Sequence, residues 1–259
     1  MNDNKNILEI KNLFYSVKQK QILNDINFTV HDGEFLSILG PSGCGKTTIL
    51  RLLIGLLQPD SGQIIKNEQD ITHAHPSKRG MGIVFQNYAL FENMTAFENI
   101  EYALKLNPKF KARSKEIVND LLVQMNLTEH ADKKPVNLSG GQQQRVAIAR
   151  TLAINPDIIL FDEPMSALDV ETRLVLRKEL KDLQHKYKNT MIYITHDQEE
   201  AFAMSDRIMV MSEGKIHQID TPENLIAHPA DDYVEQFVVH NLRVKMDSLL
   251  KHLGGMYEK

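Results

Sequence analysis

The run Gly40-Pro41-Ser42-Gly43-Cys44-Gly45-Lys46-Thr47 fits the pattern G-x-x-x-x-G-K-[ST], and no other stretch constrains the fold as tightly. Glycines let the loop turn so sharply that successive backbone N–H groups point inward and cradle phosphate oxygens, at the positive end of the helix that follows. The pattern carries meaning only between a strand and a helix, and both are expected here. Phe35 to Leu39 reads as a strand entered through the turn His31-Asp32-Gly33-Glu34, and Thr47-Thr48-Ile49-Leu50-Arg51-Leu52-Leu53 is helical in composition. The cluster Gln58-Pro59-Asp60-Ser61-Gly62 then ends that helix in a turn. In such a loop Lys46 reaches the β/γ-phosphates, the Thr47 hydroxyl ligates Mg²⁺, and Thr48 donates to a phosphate oxygen. Cys44, inside the loop, reads as an inert small residue.

Composition narrows the remaining classes. The 259 residues, 42% of them hydrophobic, are enough for one or two globular domains with a real core. Thirty Lys and Arg against 34 Asp and Glu give a net charge of −4, so no basic field argues for nucleic acid or an anionic membrane. One cysteine cannot form an internal disulfide, and Met1-Asn2-Asp3-Asn4-Lys5 lacks the apolar core of a signal peptide; both favour the cytoplasm. The densest apolar stretch, Ile49 to Leu57, is short and interrupted by Arg51, whereas a spanning helix needs about 20 apolar residues. A role at a membrane therefore requires another chain to cross it.

Ile7 to Val17 and Ile22 to Val30 alternate loosely between apolar and polar residues, so the N-terminus reads as antiparallel sheet. From about Glu92 to Ala153 apolar residues recur at helical spacing, as at Ile117, Leu121, Leu122 and Met125, and a helical insert is expected. Past it, Ile158 to Phe161 and Met191 to Ile194 are short apolar runs flanking a helical stretch, Thr172 to Tyr187, which is the pattern of buried parallel strands joined by a crossover helix. A hairpin follows, Arg207 to Met211 and Ile216 to Ile219, turning at Glu213-Gly214.

The strand Ile158 to Phe161 ends in Asp162-Glu163. Beside a phosphate loop, carboxylates at the end of a buried strand suit a metal and an attacking water: Asp162 would hold Mg²⁺ and Glu163 would orient or deprotonate the water. Among the 10 histidines, His73 and His75 lie in a Pro-flanked loop without a third ligand and read as solvated. His196 stands apart because it follows the apolar run Met191 to Thr195.

Leu138-Ser139-Gly140-Gly141-Gln142 resembles the signature motif of ABC ATPases, although Ser139 alone would be an ordinary helix cap. The family's other motifs are present in order: Val84-Phe85-Gln86 is similar to the Q-loop, Ser166-Ala167-Leu168-Asp169 to the D-loop, and Thr195-His196-Asp197 to the switch histidine. The resemblance runs from about Ile7 to Val239. It implies an α/β P-loop NTPase with an N-terminal antiparallel β subdomain, a RecA-like parallel-sheet core and the helical insert of about 92–153. It also implies ATP and Mg²⁺ as cofactors, with Gly40 to Thr48, Ser139, Gly141, Gln142 and Asp169 on the nucleotide and Thr47, Gln86 and Asp162 on the metal. Glu163 would activate water, helped by Lys46, Gln86 and His196, the last sensing the γ-phosphate. For the adenine-stacking aromatic, Tyr15 is the candidate, while counting back from Asp25-Ile26 places that position nearer Val17.

In this family the signature completes a site on a second chain, so a head-to-tail homodimer with two sandwiched ATPs is expected. The 93 residues between Lys46 and Ser139 leave no room for the coiled coil of a DNA-repair ATPase. A stand-alone subunit leans toward import, most similar to the ATPases for sugars, polyamines, ferric iron and phosphonates, peripheral on the inner face of the cytoplasmic membrane. Its expected partners are permease subunits and, indirectly, an extracytoplasmic binding protein; an iron–sulfur assembly scaffold is the alternative. Tyr88 to Phe91 would touch the permease. Residues 1–240 read as the ATPase domain and 241–259 as a short helical tail, with Met246, Leu249, Leu250 and Leu253 packing on the domain.

Overall fold

The computed structural model describes residues 5–253. Its strands, in chain order, are β1 (Asn6–Val17), β2 (Lys20–His31), β3 (Phe35–Leu39), β4 (Ser61–Lys66), β5 (Gln69–Asp70), β6 (Met81–Val84), β7 (Ile158–Asp162), β8 (Thr190–Thr195), β9 (Arg207–Ser212) and β10 (Lys215–Asp220). The helices are α1 (Lys46–Ile54), α2 (Ala96–Leu106), α3 (Pro108–Lys111), α4 (Ser114–Gln124), α5 (Gly140–Ala153), α6 (Val170–Tyr187), α7 (Gln198–Met204), α8 (Pro222–Ala227), α9 (Asp232–Val234) and α10 (Asn241–Leu253). They divide between two compact units, one of residues 5–49, 58–72 and 194–253, the other of residues 50–57 and 73–193. The division runs through α1 and β8 and does not coincide with the expected insert.

In the first unit, β2-β1-β4-β5 forms an antiparallel sheet, with Ile10 opposite Phe28 on one side and Ile64 on the other. The third N-terminal strand does not join it. β3 runs parallel to β9, which pairs antiparallel with β10. The reason is burial: every residue of β3 is buried, and a strand covered on both faces suits a parallel sheet rather than a half-solvated meander. An ion pair fixes the pairing, since Arg207 Nε donates to Glu34 Oε1 at 2.6 Å and the Phe35 amide to Asp206 Oδ2 at 2.7 Å. Leu39, Ala201, Ile208, Val210, Leu225, Val234 and Val238 fill the core beside these strands.

In the second unit, β6 and β7 run parallel with Ile83 opposite Leu160, and β8 follows β7 in the strand order. The helices α2 and α4 pack on α5, and α5 on β6. A capping box starts α2: Thr95 Oγ1 accepts from the Glu98 amide and Glu98 Oε2 from the Thr95 amide. Arg79 is almost fully buried, donating from Nη1 to the Leu52 and Leu53 carbonyls at 2.8 Å each and from Nε to Ala74 O at 3.0 Å. It thereby caps the C-terminal turn of α1, where a cation is favoured. Burial holds its pKa below the ordinary arginine value. Replacing it by Met removes three hydrogen bonds to backbone carbonyls, two of them buried, so Arg79→Met should lose about 3 kcal/mol of stability, read as a melting midpoint lower by roughly 10 °C. A midpoint within about 2 °C of the unsubstituted chain would refute the capping role.

The C-terminal segment is helical through Leu253, but Met246 and Leu250 are more than half exposed rather than packed. The side chains of Leu249 and Leu253, and the opening Met1 to Asn4, lie outside the described residues.

Candidate functional site

In the first unit the glycine loop leads from β3 directly into α1. Pro41, Ser42 and Gly43 form an exposed rim, whereas Cys44, Gly45 and Lys46 are buried beneath it. Gly45 has φ +108°, and a Cβ there would stand 2.6 Å from a Leu23 methyl, so only glycine fits. The Lys46 ammonium donates to Gly40 O at 2.8 Å and Pro41 O at 3.0 Å, which holds the charge across the loop. Thr47 and Thr48 follow, half-buried, in the first turn of α1. The Cys44 thiol is buried and forms no disulfide.

His196 is exposed, between two anchored neighbours. Thr195 Oγ1 donates to Glu200 Oε2 at 2.8 Å and accepts from the Asp197 amide, while Asp197 Oδ1 accepts from the amides of Glu199 and Glu200 to cap α7. Tyr15 is half-buried on β1 opposite Leu23, and Val17 is 45% exposed at the end of that strand.

In the second unit, Asp162 is buried at the end of β7 and Glu163 follows with φ +45°. A left-handed conformation at a non-glycine residue costs about 1–2 kcal/mol and turns the chain sharply after the strand. The Glu163 carbonyl accepts from Ser166 Oγ at 3.0 Å, and Ser166 Oγ accepts from Gln86 Nε2 at 3.1 Å. The Q-loop and D-loop positions thus meet on one serine hydroxyl. Ser139 and Gln142 form a reciprocal capping box at the start of α5, and Gln142 Nε2 also lies 2.9 Å from His130 Nε2. Gly141 is the second residue of that helix. Asp169 caps α6 through the Thr172 amide and hydroxyl; the backbone hydrogen bond, then the side-chain one, hold its carboxyl below the ordinary aspartate range.

Tyr88 departs from its expected place on a partner-facing surface. It is buried, its hydroxyl has no hydrogen-bond partner, and burial raises its pKa. Phe91 and Tyr102 are the exposed aromatics here, their ring centroids 4.7 Å apart. Two residues that sequence reasoning missed, and one it placed only in the D-loop motif, shape this strap. Arg150 donates to the Tyr88 and Ala89 carbonyls at 2.9 and 2.8 Å, both residues having positive φ. Asn99, fully buried, accepts from the Phe91 amide and donates to the carbonyls of Phe91, Met94 and Thr95. Ser166 carries Gln86. A polar residue inside an apolar helix face is the signal for Asn99, and Ser166 was marked by its motif but not for this contact.

The loop's donor set fits a polyphosphate: a buried ammonium beside the N-terminus of a helix. Among the described residues no group of three or more His, Cys, Asp or Glu could hold a metal ion. A hydroxyl such as Thr47 and one carboxylate suit Mg²⁺, which completes its shell with water and phosphate oxygens. His75 is otherwise engaged, its Nδ1 2.9 Å from Ser77 Oγ at the cap of a short turn.

A parallel-rich sheet with a glycine loop between strand and helix, and a paired carboxylate ending another strand, defines a P-loop nucleotide-binding protein. The chain belongs to the ABC transporter family, whose description matches residues 23–166. Its fold is that of an ABC ATPase: a solved dimeric ATP-binding cassette in a post-hydrolysis state with ADP and Pi superposes with a TM-score of 0.72 at 34% identity, over 83% of this chain and 98% of that one. The spermidine/putrescine import ATP-binding protein PotA of Marinobacter nauticus is 45% identical over 90% of this chain, and that of Nitratidesulfovibrio vulgaris 44% over 100%. The sulfate/thiosulfate import ATP-binding protein CysA of Pectobacterium atrosepticum is 44% identical over 92%. The chain spans 62%, 70% and 74% of these relatives respectively.

Proposed function

We propose that the chain is the ATP-binding, ATP-hydrolysing subunit of a solute importer, acting as a head-to-tail homodimer on permease subunits at the inner face of the cytoplasmic membrane. The observation that carries this reading is the buried Lys46 ammonium held across a glycine loop at the N-terminus of α1. When a triphosphate enters, Lys46 exchanges neutral carbonyl partners for charged phosphate oxygens, a stronger, charge-assisted bond. Gly40 to Thr48 cradle the phosphates, and Thr47, Asp162 and Gln86 hold Mg²⁺, which would neutralise developing charge on the phosphoryl group. Glu163 accepts a proton from the attacking water, and His196 donates a hydrogen bond to the γ-phosphate. Ser139, Gly141, Gln142 and Asp169 serve the nucleotide of the second copy, and Tyr15 or Val17 lies against adenine.

Because ATP touches both copies and its products touch them less, hydrolysis opens the dimer; such differential contact is what lets a ligand drive a conformational equilibrium. The matched relatives named for import support this reading over an assembly scaffold. Polyamine and sulfate importers match at almost equal identity. That equality fits a solute recognised by the permease and an extracytoplasmic binding protein rather than by this chain. Among the described residues no helix is long and apolar enough to cross a membrane, so the crossing falls to those partners. Two measurements test the proposal. The purified chain should release phosphate from ATP in a Mg²⁺-dependent assay, and a tagged copy should co-purify with a multi-spanning protein. Recovery of soluble partners alone would favour the scaffold.

A further inference from the structure

The turn between β9 and β10 lies against the phosphate loop, within the first unit. Gly214 donates its amide to the Cys44 carbonyl at 3.1 Å, and its own carbonyl accepts from the Asn24 amide at 2.9 Å. With φ +74° and a Cβ position only 2.2 Å from Ile22 O, Gly214 admits no side chain. At the other end of the loop, a Cβ on Gly40 would stand 2.3 Å from Met211 O. The last residues of β9 and the turn therefore make a floor under the loop, and Ser212 stands between its two contact points.

Ser212 is held from the side by a relay that no motif predicts. Its Oγ lies 2.8 Å from His217 Nε2, and His217 Nδ1 lies 2.7 Å from Asp231 Oδ2. An ionised carboxylate only accepts, so Nδ1 carries a proton toward Asp231, and in the neutral ring Nε2 accepts from the serine hydroxyl. The other Asp231 oxygen accepts from the Val234 amide at 2.9 Å and caps α9, which fixes the relay's far end. The Tyr233 ring covers His217 at 4.5 Å between centroids. These distances match those of a serine-nucleophile triad. Here, though, Ser212 is 8% exposed at the end of an inner strand, in a floor position that a nucleophile would not occupy.

We propose that the Ser212–His217–Asp231 relay is a positioning device for nucleotide binding: it fixes the end of β9 and so the shape of the phosphate loop resting on it. The consequence for ATP rests on the function proposed above; the consequence for the loop does not. His217→Phe keeps a ring against Tyr233 and removes both hydrogen bonds, while Ser212→Ala removes only the link to the floor. Hydrogen exchange of the Gly40–Lys46 segment is measured by mass spectrometry in both variants, with Ile158–Asp162 as the control segment. Exchange in the loop should quicken about fivefold, the factor of one net hydrogen bond, with the control unchanged. KM for ATP should rise by a similar factor, about fivefold, with kcat at saturating ATP retained. Loop exchange unchanged in both variants would overturn the brace, as would labelling of Ser212 by a fluorophosphonate. Should His217→Phe melt early and loosen the control segment too, Ser212→Ala decides by the same two readings. An unsubstituted chain that binds no ATP would sink the functional reading, with loop exchange still judging the relay.

Discussion

Glu163→Gln should bind ATP as the unsubstituted chain does and hydrolyse it at least about a hundredfold more slowly, the loss expected when a general base is removed. The substitution keeps side-chain volume and one carbonyl oxygen, so the water can still be held but its proton has nowhere to go. The local fold should survive it, because the contact that shapes the turn after β7 is made by the Glu163 backbone carbonyl to Ser166 Oγ and not by the carboxylate. With hydrolysis blocked, the ATP-closed state cannot discharge. Size-exclusion chromatography should therefore show a dimer that forms with ATP and Mg²⁺ and dissociates with ADP. Phosphate release within about tenfold of the unsubstituted rate would place the water-activating group elsewhere.

Lys46→Ala should act one step earlier. Lys46 is 4% exposed and its ammonium points across the loop to Gly40 and Pro41. Removing it deletes the one side-chain cation of the loop and leaves the backbone amides to hold the phosphates alone. A charge-assisted contact of this kind is worth roughly 2–3 kcal/mol, so the Kd for ATP should rise by about 30-fold to 150-fold. Titration with a fluorescent ATP analogue checks this, and a matching titration with ADP separates the phosphates: affinity for ATP should fall more, since the lost cation addresses the β/γ oxygens. An unchanged Kd would mean that the loop recognises phosphate through its amides only. The two variants together distinguish binding from turnover, because Glu163→Gln leaves the first intact and Lys46→Ala weakens it.

The loop, α1 and the acidic strand end were legible because each is a local pattern: residue type at fixed spacing inside one strand–turn–helix passage. The parallel pairing of β3 was not drawn from the sequence although its signal was present. Phe35-Leu36-Ser37-Ile38-Leu39 is continuous rather than alternating, and continuous burial belongs to a parallel strand. Tyr88 was misplaced for a different reason. An aromatic in an apolar stretch gives no indication of which way a left-handed turn will point it, and the positive φ of Tyr88 and Ala89 sends the ring inward. The residues that hold the site's segments in place were the least visible. Arg150 and Ser166 act on backbone or side-chain groups that sequence order does not place beside them, as Ser166 does on Gln86 80 residues earlier. Spacing rules for helices and strands say nothing about such clamps.

The strap after β6 illustrates what this costs the chain as it is made. Tyr88 and Ala89 hold an unfavourable backbone conformation, and the guanidinium that satisfies their carbonyls lies 62 and 61 residues downstream. During synthesis the segment from Gln86 to Phe91 therefore leaves the ribosome without the contact that shapes it, and at about 5–20 residues per second it waits several seconds for α5 to follow. It is a late-setting joint, complete only when the helix that opens with Ser139 has been translated to its last turn.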